Sequence, residues 1–136
     1  MNSTKLTLAA LAAAFTFTVA VRAADVKLPP ASDKKDVTYA TDIKPILDAN
    51  CSKCHMGDRA KAKLHMDSLE GILKGTKEGK ILTAGDSANS LIVKITAHAT
   101  EDHDLWMPPV PNKAGAKTLT PEQIGLVRAW IDQGAK

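Results

Sequence analysis

Cys51-Ser52-Lys53-Cys54-His55 is the stretch on which the reading of this chain turns. These are the only two cysteines among 136 residues, and a histidine follows the second directly. The run is the attachment signature of c-type haem. Two thiols separated by two residues match the span of the two porphyrin vinyl groups and can form two thioether bonds. The next residue then offers its imidazole to the iron as proximal ligand. A thioredoxin-like dithiol would be expected beside a strand-helix-strand pattern, and none is visible around these residues. A tetrahedral zinc site would need two further ligands, and His65, His98 and His103 follow no ligand-like repeat.

Outward from the motif, the N-terminus reads as a secretory address. Lys5 supplies a short positive region, Leu6 to Val21 is apolar apart from threonines, and Val21-Arg22-Ala23 offers small residues where a signal peptidase cuts. Residues 1–23 are therefore expected to be removed. The apolar run is short of the roughly 20 residues that a bilayer span needs, so no stable membrane insertion is expected after cleavage. An exported chain with two cysteines spaced for haem does not resemble a disulfide scaffold, and the periplasm is the expected compartment.

Charge excludes one class of partner. Lys5 and Arg22 leave with the signal, so the formal balance falls from +3 to +1. A nucleic-acid binder normally carries a strong basic surplus, and none is left. Aromatic content is also low: Phe15 and Phe17 lie in the signal, and only Tyr39, Trp106 and Trp130 remain. A domain of this length usually fills much of its core with aromatics, and a porphyrin would supply the missing flat hydrophobe.

The remaining pattern predicts an all-α domain of three to five helices. Residues 24–37, with Pro29-Pro30 and the charged run to Asp36, read as a flexible tail, and the domain is expected over 38–136. Thr41 to Asn50 reads as a helix capped by Thr41, with Ile43, Ile46, Leu47 and Cys51 on one face. Asp67 or Ser68 is expected to cap a short helix through Leu73, and Asp86 or Ser87 to start another carrying Leu91, Ile92 and Ile95. Thr120-Pro121-Glu122-Gln123 combines a cap, a first-turn proline and a capping-box glutamine. The helix that follows places Ile124, Val127 and Ile131 on one face and stops at Gly134. Between the last two helices, His98 to Leu119 is proline-rich and irregular, a length of loop that is uncommon unless it carries function.

A haem iron with one histidine needs a sixth ligand, and the candidates are Met56, Met66, Met107, His65, His98 and His103. Met56 adjoins the proximal histidine and cannot easily reach the other face. Met66 reads as core filling. Met107 lies in the long loop before Pro108-Pro109, whose rigidity suits a held sulfur, and it is the expected distal ligand. His98 or His103 is the alternative, although Glu101, Asp102 and Asp104 around them suggest a polar surface loop.

Taken with Met107-Pro108 and the terminal helix, the motif resembles class I cytochrome c. The planctomycete-type cytochrome c domain is the nearer likeness. Its blocks are similar to Ile43-Lys44-Pro45-Ile46-Leu47, Leu64-His65-Met66-Asp67-Ser68, Gly85-Asp86, Ser90-Leu91-Ile92, Met107-Pro108-Pro109 and Trp130-Ile131-Asp132-Gln133-Gly134-Ala135. The likeness runs from about Thr38 to the C-terminus. Met56 stands where the family often has glycine, and Pro111 to Lys117 lengthens the segment after Met107. The resemblance implies one covalent haem c on Cys51 and Cys54, with His55 proximal and Met107 distal. It further implies a periplasmic shuttle of single electrons between redox proteins such as a respiratory complex, a dehydrogenase or an oxidase. Lys53, Arg59, Lys61 and Lys63 offer a basic rim for an acidic partner. An open or labile distal site would instead suit a haem peroxidase-like enzyme, with His103 as acid/base, or a redox or gas sensor.

Overall fold

The computed structural model describes residues 27–136. The expected signal, residues 1–23, lies outside them. Among the described residues there are four α-helices and no strand, only an isolated bridge between Thr76 and Gly79, so the domain is all-α as expected. The helices are α1 (Lys44–Asn50), α2 (Leu69–Lys74), α3 (Leu91–Thr96) and α4 (Pro121–Asp132). A π-type turn, Tyr39–Ile43, leads directly into α1, and two single 3₁₀ turns, Lys61–Lys63 and His103–Leu105, interrupt the loops. No helix among the described residues is long and apolar enough to cross a membrane.

The longest helix, α4, is the frame. Thr120 Oγ1 accepts from the Gln123 amide at 3.2 Å, and Gln123 Oε1 accepts from the Thr120 amide at 3.0 Å. This closes the capping box legible in the sequence and satisfies two N–H groups that the helix itself cannot. One face of α4 buries Ile124, Val127, Trp130 and Ile131, and it packs on the opening turn and on α3. Trp130 and Ile131 are fully buried, as are Ile43, Ile72 and Val93 from the other elements. The chain end folds back: the Lys136 carbonyl accepts from Trp130 Nε1 at 2.9 Å and from the Tyr39 amide at 3.1 Å.

Three local expectations are corrected. The first helical turn starts at Tyr39 and is capped by Thr38, whose hydroxyl accepts from the Thr41 amide; Thr41 is already inside it. α3 starts after Ser90, because Asp86 instead closes a turn by accepting from the Asn89 amide at 3.1 Å. Ser87 spends its amide and hydroxyl on the Asp132 carboxylate of α4, at 2.8 and 3.0 Å. The stretch read as a tail is the third. It is extended, but its described part lies along α4 as a strap. The Ser32 amide donates to Gly125 O at 2.9 Å, Gln133 Nε2 donates to Lys34 O at 2.8 Å, and Arg128 binds the Pro29 carbonyl. Gly125 is what allows the approach, since a Cβ there would lie 2.7 Å from Pro30 O. Val37, at the strap's end, is part of the core.

Candidate functional site

α1 delivers the cysteine motif through its own packing. Ile43 and Leu47 are buried, Ile46 and Cys51 pack against the same core, and the chain leaves the helix with the Cys51 amide still bonded to Leu47 O at 2.7 Å. A tight turn follows, in which the Cys54 and His55 amides donate to Cys51 O at 3.2 and 3.0 Å. The loop then folds back over itself. Lys61 N donates to Cys54 O at 2.8 Å and Met66 N to His55 O at 2.8 Å. Tyr39 Oη donates to Met66 O at 3.2 Å, tying this wall to the core around Trp130. The backbones of Cys51, Ser52, Cys54 and His55 are thus held from within Leu47 to Met66, with Tyr39 behind.

Facing this stretch is a cavity of about 840 Å³, large for a domain of this size. Cys51, Cys54 and His55 line it together with Leu64 and Met66. α3 contributes Leu91, Ile92 and Ile95, the long loop contributes Leu105, Met107 and Pro108, and Leu119 closes it before α4. The lining is predominantly apolar, with a few polar groups confined to particular places, which is the character of a cofactor site.

The chemistry of the donor set fits a covalently held metalloporphyrin. Cys51 and Cys54 are free thiols, not bridged to each other. Burial, with the neighbouring Cys54 adding to it, pushes the Cys51 thiol up to about 11, so at neutral pH it carries its proton. His55 Nδ1 lies 3.2 Å from the Lys61 carbonyl oxygen. A carbonyl can only accept, so the proton sits on Nδ1 and the Nε2 lone pair is left for a metal. Burial is the main cause that holds the His55 imidazole below its ordinary range, opposed by its backbone hydrogen bonds, and the neutral ligating form is favoured. Among the described residues no three His, Cys, Asp or Glu side chains gather into a metal cluster.

The candidates for the sixth position separate by place. Met107 and Met66 both line the cavity; Met56, His65, His98 and His103 do not. Met66 belongs to the wall that carries His55, through its amide bond to that residue, and it is buried in the core. Met107 comes from the other side, where its amide donates to Ile95 O at the end of α3 at 3.0 Å. Met56 is exposed. His98 and His103 both lie against Trp106, with ring centroids 4.7 and 3.9 Å away.

Of the expected basic rim, only Lys61 lines the cavity; Lys53, Arg59 and Lys63 do not. Lys80, Lys113 and Lys117 line it instead, and sequence reading had passed over them. Their positions follow from the Thr76–Gly79 turn and from the extra segment after Met107, neither of which has a sequence signal that points to a cavity. Among the described residues none of these four amines has a carboxylate within 4.0 Å.

Residues 51–111 match the family model for planctomycete cytochrome C. The matched stretch begins at the first thiol and ends four residues after Met107, so it contains both sides of the cavity but neither α1 nor α4. No curated protein and no solved structure matches the chain.

Proposed function

We propose that this chain, a planctomycete-type cytochrome c domain over residues 51–111, is an exported monohaem carrier that passes single electrons between redox proteins. The observation that carries the reading is the shared cavity. Both thiols and His55 line it from one side, and Met107 lines it from the side of α3. Cys51 and Cys54 would hold the porphyrin through thioethers, with His55 as proximal and Met107 as distal ligand. Bound there, haem supplies a one-electron ferrous/ferric couple, which a soft thioether ligand biases toward the ferrous state. The chain's own part is to orient and to exclude. The Lys61 carbonyl fixes the His55 ring, and the apolar lining from Leu64, Ile92, Ile95 and Leu119 keeps water from the site.

Export to the periplasm rests on the leader read in residues 1–23. The partner's character rests on Lys61, Lys80, Lys113 and Lys117. Exposed at the cavity, in no ion pair among the described residues and outnumbering the single lining carboxylate, Glu78, they favour encounter with an acidic redox protein.

The test is a comparison of the haem-loaded chain with Met107→Ala. The parent should show the methionine–iron band in its ferric visible spectrum and bind carbon monoxide slowly, and the variant should lose the band and bind quickly. Rapid carbon monoxide or cyanide binding by the parent would instead select the peroxidase-like or sensor reading.

A further inference from the structure

Met107 sits at the end of an excursion that leaves α3 and returns to the same atom. The His98 amide donates to Ile95 O at 3.3 Å as the chain departs, and the Met107 amide donates to that oxygen at 3.0 Å as it comes back. Ten residues are closed on one carbonyl. Compact loops of this kind are held by their own side chains when no other element covers them. Here the side chain inside the loop is Trp106, the residue before Met107. His98 stacks on it almost parallel, 8° off at 4.7 Å, and His103 tilts against it at 3.9 Å. Its indole Nε1 donates to Thr100 O at 3.2 Å, and its amide donates to His103 O at 3.1 Å. His98 also turns the chain out of α3 in the left-handed region, at φ 52°, an arrangement that needs support from its surroundings.

We propose that Trp106, held by its contacts with His98 and His103, is the positioning residue that holds Met107 at the cavity and so keeps the sixth coordination position closed. The inference rests on Met107 as distal ligand. Trp106 itself does not line the cavity; it acts through the loop. With the indole removed, the loop keeps its backbone bonds to Ile95 O and Lys94 O and the short turn around His103, but nothing fills it, and Met107 swings away more often. Two aromatic pairs and one hydrogen bond correspond to a shift of about tenfold to a hundredfold in the closed-to-open ratio.

The test uses the haem-loaded full chain and Trp106→Ala, Trp106→Phe and Met107→Ala. Trp106→Ala should keep its covalent haem and its helical circular dichroism, weaken the methionine–iron band, lower the reduction potential and bind carbon monoxide about tenfold to a hundredfold faster than the parent. Trp106→Phe, which restores a stacking ring without the N–H, should recover most of the band. A Trp106→Ala protein with parental band, potential and binding rate overturns the inference. If Trp106→Ala does not fold, His103→Ala decides from an exposed position: faster carbon monoxide binding supports the inference, and a parental rate overturns it. Failure of the underlying reading looks different, because Met107→Ala would then leave the parental spectrum unchanged.

Discussion

The two sides of the cavity are built in opposite ways. The Cys51–Met66 side is contiguous, with most of its backbone hydrogen bonds joining residues that lie close in sequence and the whole tied to Tyr39 on the core, although Lys53 Nζ also reaches Ala114 O at 3.5 Å. The Met107 side is a single closed loop that reaches the helical frame only at the end of α3, at Ile95 O and Lys94 O, and is filled by one indole. Short-range bonds cost little chain entropy to form, whereas a loop hung on the end of one short helix opens at low free energy. The attachment side is therefore the rigid one, and the side that completes the iron's coordination is the adjustable one.

The largest expected effect breaks the rigid side at its chemistry. A Cys51→Ser, Cys54→Ser chain, expressed with haem-attachment machinery, should carry no covalent haem in a denaturing gel stained for haem. Covalent haem surviving in it would sink the attachment reading. The next effect asks whether this side is formed before haem arrives. In haem-free Cys54→Ser protein the Cys54 contribution to the parent's value of about 11 is gone. Burial, the larger cause, still holds the Cys51 thiol above its ordinary 9.0, so about tenfold to a hundredfold less thiolate is present at pH 8. Alkylation of the folded protein should be slower by at least about that factor than in urea. Its rate should still be rising at about pH 10, where an ordinary cysteine levels off. Equal rates folded and unfolded would mean that the wall needs haem to form.

How much of this was legible beforehand follows from the same contrast. Cys51 to His55 and the Thr120 capping box are local chemistry, so a sequence displays them. The expected cap at Thr41 missed by three residues, because Thr38 and Thr41 both offer a hydroxyl and the π-type turn extends the helix backwards. The strap was invisible for a stronger reason. Its partners Gly125, Arg128 and Gln133 lie roughly a hundred positions away, and a Pro-Pro-rich charged stretch has the composition of a linker wherever it docks. Trp106 was legible as an aromatic in a loop, but its stacking on His98 depends on how the chain turns out of α3. The cavity's lysines required the packing of three separate segments.

A smaller effect crosses the two methionines. Both line the cavity, yet only Met66 is core. Met66→Ala should cost about 2–5 kcal/mol in denaturant unfolding and leave the methionine–iron band in place. Met107→Ala, at a half-buried loop position, should remove the band at much lower cost in stability. The reverse pattern would exchange the two roles and make the Cys51–Met66 side supply both axial ligands.

The smallest change tests whether the rigid side is insulated from the adjustable one. Tyr39→Phe deletes only the hydroxyl that donates to Met66 O, in a ring otherwise packed beside Trp130 at 6.1 Å. The acceptor is buried and loses its partner, so a loss of about 1 kcal/mol is expected in urea unfolding. Met66 stays bonded to His55 O through its amide, which leaves the His55 ring and its Lys61 contact where they are. Carbon monoxide binding should then be unchanged, because nothing in the loop from His98 to Met107 touches this bond. A Tyr39→Phe protein that bound carbon monoxide faster would show that strain at the attachment side reaches the distal loop through the cavity, and the two sides would have to be treated as one elastic unit.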